Sequence, residues 1–213
     1  MSYTCALSLK KIKDYLAGAA VVGFDFETSP IEEYRSEERA ALDAHKAAIT
    51  GVSLSVSEDS GIYIPLRHRA GRNIQRPEAV MDYLRQAVFE NATVIKVAHN
   101  LAFRVPCCLY ALGVIVQPPC YDTIAAAQLT LKNNTAFRGL SDSGLKTLVP
   151  QLFHVELPDF ETVTAGRFFD ELDPQDKETV RYACADSDFA LRLYHLFNGW
   201  FDQYLPRHRR IVE

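Results

Sequence analysis

An acidic pair in the segment FDFET is the first feature that could do chemistry: Asp25 and Glu27 are separated by a single residue. On a β-strand, residues two apart point to the same face, so the two carboxylates would lie side by side. Like charges at the end of an apolar strand repel each other unless a cation lies between them. An exposed polar strand end is the alternative, but the flank VVGF and Phe26 favour a buried pair. The segment therefore predicts metal ligands.

A second acidic group occurs in the segment YACADSDFALRL, which has helical spacing. Tyr182 and Asp186 are four residues apart, so their side chains share one helix face. A phenol one turn from a carboxylate can orient a water molecule that the carboxylate also contacts, directly or through a metal ion. An ordinary surface Tyr–Asp pair remains an alternative. Asp188 points to another side of the helix, and we expect it to be solvated.

Together the two groups indicate two-metal phosphoryl chemistry. In such sites carboxylates hold two divalent ions about 4 Å apart, one activating water and the other stabilising the leaving oxygen. Oxygen ligands favour Mg²⁺ or Mn²⁺. The histidines lack the spacing of a zinc site, and the five cysteines show no CxxC pair, which favours free thiols.

Composition limits the remaining possibilities. The 213 residues are 48% hydrophobic, which suits one globular domain. The formal net charge is −4, so a nucleic-acid partner would need a local basic groove. The start MSYTCALSLKKIKDYL contains no long apolar run and predicts neither a signal peptide nor a membrane span. We expect a cytoplasmic protein.

The elements that must position these residues follow from periodicity and from turn signals. A hairpin followed by alternating helices and strands predicts an α/β domain with a mixed sheet. Helices are predicted in SLKKIKDYLAG, IEEYRSEERAALDAHKAA, RPEAVMDYLRQAVFE, residues 100–112, DTIAAAQLTL and SDSGLKTLVPQL, and from Asp173 to about residue 202. Strands are predicted in AAVVGFDFET, which would be the first, and in ITGVSLSV, GIYIPL, TVIKVAH and VIV.

Three ordered motifs carry a resemblance to a known family. FDFET, VAHNLAF and YACADSDFALRL, with YIPL and YDTIAAAQL between them, resemble the DEDD 3′–5′ exonucleases. Tyr182, four residues before the last aspartate, is typical of the DEDDy subclass. The chain is most similar to the proofreading domain of family-A DNA polymerases of the DNA polymerase I type. The charged segment after the first motif is more similar to phage or prophage polymerases.

The resemblance implies a ribonuclease H-like fold with a five-stranded mixed sheet flanked by helices. It implies that Asp25, Glu27 and Asp186 are catalytic ligands of Mg²⁺ or Mn²⁺ and that Tyr182 orients the attacking water.

The resemblance also implies which residues would contact the 3′ end: Thr28, Ile31, His99, Asn100, Phe103 and Arg138. For Phe103, plain core packing is the alternative. For His99, the alternative is a helix cap without a role in binding.

Arg104 departs from the family pattern. After HNLAF the family places an aspartate that helps to hold the second metal ion, and this chain has a cation there. Its guanidinium is expected to pair with Asp25 or Asp186, or else to turn to solvent. In each case a carboxylate is missing, so the second metal is expected to be lost and the activity to be impaired or abolished.

The resemblance also implies a partner and a context. The partner would be the 3′ end of single-stranded DNA, and residues 1–213 would form one exonuclease domain cut before a polymerase domain in cis. Two alternatives stay open. One is a non-catalytic nucleic-acid-binding or structural module of a polymerase, and the other is an RNA exonuclease similar to ribonuclease D.

Overall fold

The computed structural model describes residues 1–133 and 142–204. Within these residues, one six-stranded sheet carries helices on its faces. The strands are β1 Ser2–Cys5, β2 Val21–Pro30, β3 Ala47–Ser55, β4 Ser60–Pro65, β5 Ile95–Ala98 and β6 Cys120–Asp122. The helices are α1 Leu9–Leu16, α2 Pro77–Leu84, α3 Leu101–Leu112, α4 Thr123–Asn133, α5 Leu145–Phe153, α6 Phe160–Thr164 and α7 Lys177–Tyr204.

The sheet has the order β1-β4-β3-β2-β5-β6 and is mixed. β2, β3 and β4 pair antiparallel, whereas β5 runs parallel to both β2 and β6 and β1 runs parallel to β4. β2 therefore lies between an antiparallel and a parallel neighbour in the centre of the sheet. The α/β fold with a mixed sheet flanked by helices agrees with the sequence prediction.

The alternation of side chains along β2 divides the core. Phe24 and Phe26 point to one face, where both rings pack against Phe89 at centroid distances of 5.3 and 5.8 Å. The opposite face carries the acidic residues of the strand and is covered by α7. β2 thus contributes apolar side chains to the core on one face of the sheet and acidic side chains on the other face.

Three predictions about elements are wrong. The described sheet has six strands instead of five, because the N-terminal residues form β1, which precedes the strand of FDFET. The last strand is Cys120–Asp122 and not VIV. The segment after β2 forms two short 3₁₀ turns, Glu32–Tyr34 and Ala40–Leu42, instead of a longer helix.

Asp188 also differs from expectation, because it is fully buried. The Tyr3 hydroxyl donates a hydrogen bond of 2.6 Å to Asp188 Oδ2. Arg192 donates from its Nε to Asp188 Oδ1 and from its Nη2 to Asp188 Oδ2. Local residue spacing does not indicate this burial, because Tyr3 comes from the far end of the chain. The contact attaches β1 to α7.

The long helix begins later than predicted, at Lys177, because the Asp176 side chain accepts from the amide nitrogens of Glu178 and Thr179 and so caps the helix. No helix in the two described ranges is long and apolar enough to span a membrane.

Candidate active site

The acidic face of β2 lies close to α7 because Gly23 has no side chain. A Cβ at Gly23 would collide with the Ser187 carbonyl oxygen and would lie 3.1 Å from the Leu191 Cβ. Gly23 and Asp25 point to the same face of the strand. The close approach therefore brings Asp186, the residue before Ser187, next to the acids of β2.

The second acidic group is placed by α7. Tyr182 and Asp186 lie one turn apart on the side of this helix that faces β2, as the four-residue spacing predicts. The Tyr182 ring is 8% exposed and packs against Phe169 and Phe160, with centroid distances of 5.7 and 5.9 Å. These contacts hold the phenol in a fixed position.

Arg104 is placed by a cap on α3. The Asp122 carboxylate, at the end of β6, accepts hydrogen bonds from the amide nitrogens of Asn100 and Leu101 at the start of α3. It also accepts from the amide nitrogen of Ile124 at the start of α4. Because one aspartate caps two helices, the start of α3 and with it Arg104 are fixed against the parallel edge of the sheet.

These elements enclose one cleft of about 370 Å³. It combines three carboxylates, one guanidinium and several apolar side chains. The residues that line it are Asp25, Phe26, Glu27, Thr28, Ala41, Leu42, Phe103, Arg104, Phe160, Tyr182 and Asp186.

Arg104 turns into the cleft and forms a salt bridge through its Nη2 with Asp25 Oδ1. The side chains are only 15% and 6% exposed, so solvent screens the pair weakly. Burial opposes the charge of Arg104, but Asp25, Asp186 and Glu27 outweigh it and raise the Arg104 pKa. From the sequence, the guanidinium was expected to pair with Asp25 or Asp186 or to turn to solvent. In the structure it pairs with Asp25.

The two acids of β2 have raised pKa values. Burial raises the pKa of Asp25 to about 7, although Arg104 opposes this rise, and Asp186 adds to it. Burial also raises the pKa of Glu27 well above its usual value, and the charges of Asp25 and Asp186 raise it further. Burial, followed by the charge of Glu27, raises the pKa of the Tyr182 phenol, which stays protonated at neutral pH.

The chemistry of these donors suits a hard divalent cation, but their arrangement does not. Glu27 Oε1 and Asp186 Oδ1 are buried oxygens without a hydrogen-bond partner, as ligands awaiting a metal ion would be. Asp25, however, is held by Arg104. Across residues 1–133 and 142–204, no group of three or more His, Cys, Asp or Glu side chains is placed to hold one metal ion. The cleft as it stands does not fit the two-metal site that the sequence motifs imply.

The residues expected to contact a nucleotide occupy different positions. Thr28 lines the cleft, but its hydroxyl donates to the Ala41 carbonyl at 2.7 Å. Phe103 lines the cleft and also packs against the core, and the Arg104 guanidinium carbon lies 5.0 Å from its ring centroid. Ile31 is 38% exposed at the end of β2 and is not part of the cleft wall.

The remaining predicted contacts lie beside the cleft. His99 is partly buried, and its Nδ1 lies 2.8 Å from the Thr123 hydroxyl oxygen. Burial lowers the pKa of His99 to about 4, so the ring is neutral at pH 7. Asn100 is exposed and has a left-handed backbone with φ of 72° at the start of α3. Arg138 lies outside the described residues.

Sequence reasoning missed several residues of this site. Leu42 and Phe160 form apolar walls of the cleft. Lys146, on the first turn of α5, lies beside Tyr182 and Asp186. The Asp-Thr pair in YDT was a signal for the helix cap at Asp122, whereas nothing in the local sequence placed Lys146 near the acids.

Comparison with known proteins gives a consistent family assignment. Residues 2–199 match the 3′–5′ exonuclease family of the type found in family-A DNA polymerases. DNA polymerase I of Treponema pallidum (strain Nichols) is 26% identical over 229 residues, covering 90% of this chain and 21% of that protein. The chain thus spans about a fifth of the length of this curated relative.

Solved structures show the same fold. Brucella melitensis NrnC with bound Mg²⁺ has a TM-score of 0.64 and 16% identity, covering 94% of this chain and 80% of its own. Escherichia coli RNase D, an exoribonuclease involved in structured RNA processing, has a TM-score of 0.63 and 16% identity, covering 100% of this chain and 50% of its own. The Aedes aegypti Nibbler EXO domain has a TM-score of 0.67 and 15% identity, with coverage of 93% and 88%.

Proposed function

Because the chain belongs to the 3′–5′ exonuclease family, we propose that its cleft binds the 3′ end of a nucleic-acid strand and that Arg104 impairs hydrolysis there. The salt bridge between Arg104 and Asp25, inside a cleft that retains the other acids and Tyr182, is the observation that carries this proposal. A guanidinium in this position attracts phosphate and repels metal ions. Binding is therefore retained while the chemistry is weak.

The roles of the acids follow the family chemistry. Asp25, Glu27 and Asp186 are the positions from which carboxylates would hold divalent ions, and Tyr182 is the phenol that would orient the attacking water. Exonucleases of this fold use divalent metals. In this chain the Asp25 carboxylate, which would help to hold such an ion, is paired with Arg104 instead.

The contacts to the strand are proposed for residues in the cleft wall and beside it. Phe103 and Thr28 lie in its wall and would face the terminal nucleotide, and Ile31 would meet a base further out. His99 and Asn100 lie at the start of α3 beside the cleft, and we propose that they contact the 3′ end of the strand. Arg138 lies outside the described residues and remains a proposed contact to the strand.

We favour DNA as the ligand, because a relative that aligns over most of the chain is a DNA polymerase. The family context also supports residues 1–213 as one exonuclease domain attached to a polymerase domain. RNA is the second candidate, since RNase D has the same fold and is an exoribonuclease. A non-catalytic module that holds the strand for an attached polymerase is compatible with the same cleft.

Fluorescence anisotropy with labelled single strands tests the proposal. DNA and RNA of one sequence, each with a free or a blocked 3′ end, should be compared at low salt. We expect binding that favours the free 3′ end and weakens as salt rises, since phosphate contacts release counter-ions. Absence of binding to both strands at low salt would refute the proposed function. If RNA binds more strongly than DNA, RNA is the ligand instead of DNA.

A further inference from the structure

A second cation, Lys146, lies at the edge of the same cleft. Its Nζ is 3.5 Å from Asp186 Oδ1, which makes an ion pair without a hydrogen bond. The same Nζ donates a hydrogen bond of 2.8 Å to the Pro158 carbonyl and lies 4.8 Å from the centroid of the Tyr182 ring. The Lys146 side chain is 44% exposed, so one side of the ammonium group still faces solvent.

The two cations divide the acids between them. Arg104 pairs with Asp25, on the β2 side of the cleft, and Lys146 pairs with Asp186, on the α7 side. Glu27, the third acid, is a buried residue of β2 that also lines the cleft. The charge that two divalent ions would neutralise is thus largely neutralised by side chains of the protein.

We propose that Arg104 and Lys146 are the resident cations of this cleft, and that through them it binds the phosphates of a nucleic-acid strand without any divalent metal ion. This inference rests on the proposed function, which states that a strand binds here, and it adds which groups hold the phosphates. Lys146 acts as a phosphate-binding residue, and neither side chain is required for bond cleavage.

Spare hydrogen-bond donors on both residues support this role. Arg104 Nε is buried and has no hydrogen-bond partner, although a guanidinium carries five N–H groups. An ammonium group carries three donors, of which Lys146 uses one on the Pro158 carbonyl. A phosphodiester that enters the cleft would find free donors on Lys146, and the positive charge of Arg104, whose side chain is 15% exposed, would attract it from the other side.

The binding of a single-stranded DNA with a free 3′ end, measured in EDTA and in Mg²⁺ across a series of salt concentrations, tests the inference. We expect equal affinity in the two buffers. Lys146→Gln should weaken binding roughly three- to tenfold, the value of one hydrogen bond to phosphate. It should also reduce the slope of log affinity against log salt by about 0.7, because one phosphate contact on a single strand is lost.

Matched variants separate a specific role from a general loss of charge. Lys146→Arg should retain both the affinity and the salt slope. Lys10→Gln removes an equal charge from an exposed residue on α1, outside the cleft, and should leave both unchanged. Thermal unfolding of Lys146→Gln should match that of the wild type, since an exposed ion pair contributes little to stability.

Each other result overturns the inference in a recognisable way. Binding that requires Mg²⁺ would contradict it while leaving the proposed function intact. Unchanged affinity and slope in Lys146→Gln would remove this residue from the phosphate contacts. No binding in either buffer would mean that the proposed function itself has failed.

Discussion

Arg104→Asp is expected to convert a protein indifferent to metal ions into one that Mg²⁺ stabilises. The change removes a cation and adds a carboxylate beside Asp25, whose side chain is 6% exposed. At roughly 6 Å and an effective dielectric constant near 20, each unit of charge changes the energy of a divalent ion by about 5 kcal/mol before solvent relaxation. Two units of charge are enough to decide whether the ion binds.

The variant should be less stable than the wild type in EDTA. Breaking the buried pair between Arg104 and Asp25 costs roughly 3–5 kcal/mol, and protonation of the acids will offset part of this. Mg²⁺ at about 100 times its Kd should return about 2.7 kcal/mol. For a chain of this size that is an increase in Tm of roughly 5–10 °C.

Thermal unfolding in EDTA and in Mg²⁺ measures this effect, with Arg104→Gln as the matched control. Glutamine removes the cation but provides no carboxylate, so its Tm should respond to Mg²⁺ much less than that of the aspartate variant. A folded Arg104→Asp protein whose Tm is unaffected by Mg²⁺ would show that Arg104 does not control metal binding. An equal increase in the Tm of the wild type would show the same.

Three further predictions address the supports of the site. Gly23→Ala should destabilise the protein by roughly 1–3 kcal/mol in urea unfolding, because its Cβ collides with the backbone of α7; Gly199→Ala, on the open side of that helix, should stabilise it slightly. Burial lowers the pKa of His99 from 6.5 to about 4, so the neutral ring stabilises the fold above pH 6.5 and this contribution is lost as pH falls towards 4. The difference in unfolding free energy between the wild type and His99→Gln should therefore change by about 3 kcal/mol between pH 7 and pH 4, and a constant difference would contradict the burial of a neutral ring. In the Arg104→Asp protein, Tyr182→Phe should slow nucleotide release in a gel assay with little effect on DNA binding, and equal rates would exclude the phenol from the reaction.

Local periodicity explains which parts of the site were predictable. Asp25 and Glu27 share a strand face, and Tyr182 and Asp186 share a helix face, because these relations depend only on residue spacing. Their meeting in one cleft was implied by the resemblance of the three motifs to the DEDD exonucleases. The close approach at Gly23 could not be read from local sequence, since it depends on where α7 crosses the sheet.

Residues that depend on distant partners were predicted poorly. Asp188 was expected in solvent, but the hydroxyl of Tyr3 and the guanidinium of Arg192 satisfy it inside the protein. Lys146 was overlooked, because only the packing of α5 brings it to Asp186. The N-terminal strand was missed because its four residues gain their place by pairing with β4, 58 positions further along the chain at Ser2 and Ser60.

We propose that Arg104 impairs hydrolysis in a cleft that retains Asp25, Glu27, Asp186 and Tyr182. The most direct test follows the shortening of a 5′-labelled DNA strand on a denaturing gel, for the wild type and for Arg104→Asp, with and without Mg²⁺. We expect stepwise loss of nucleotides from the 3′ end only for Arg104→Asp with the metal present. Rapid digestion by the wild type, or a folded Arg104→Asp protein that binds DNA and Mg²⁺ but remains inert, would contradict it.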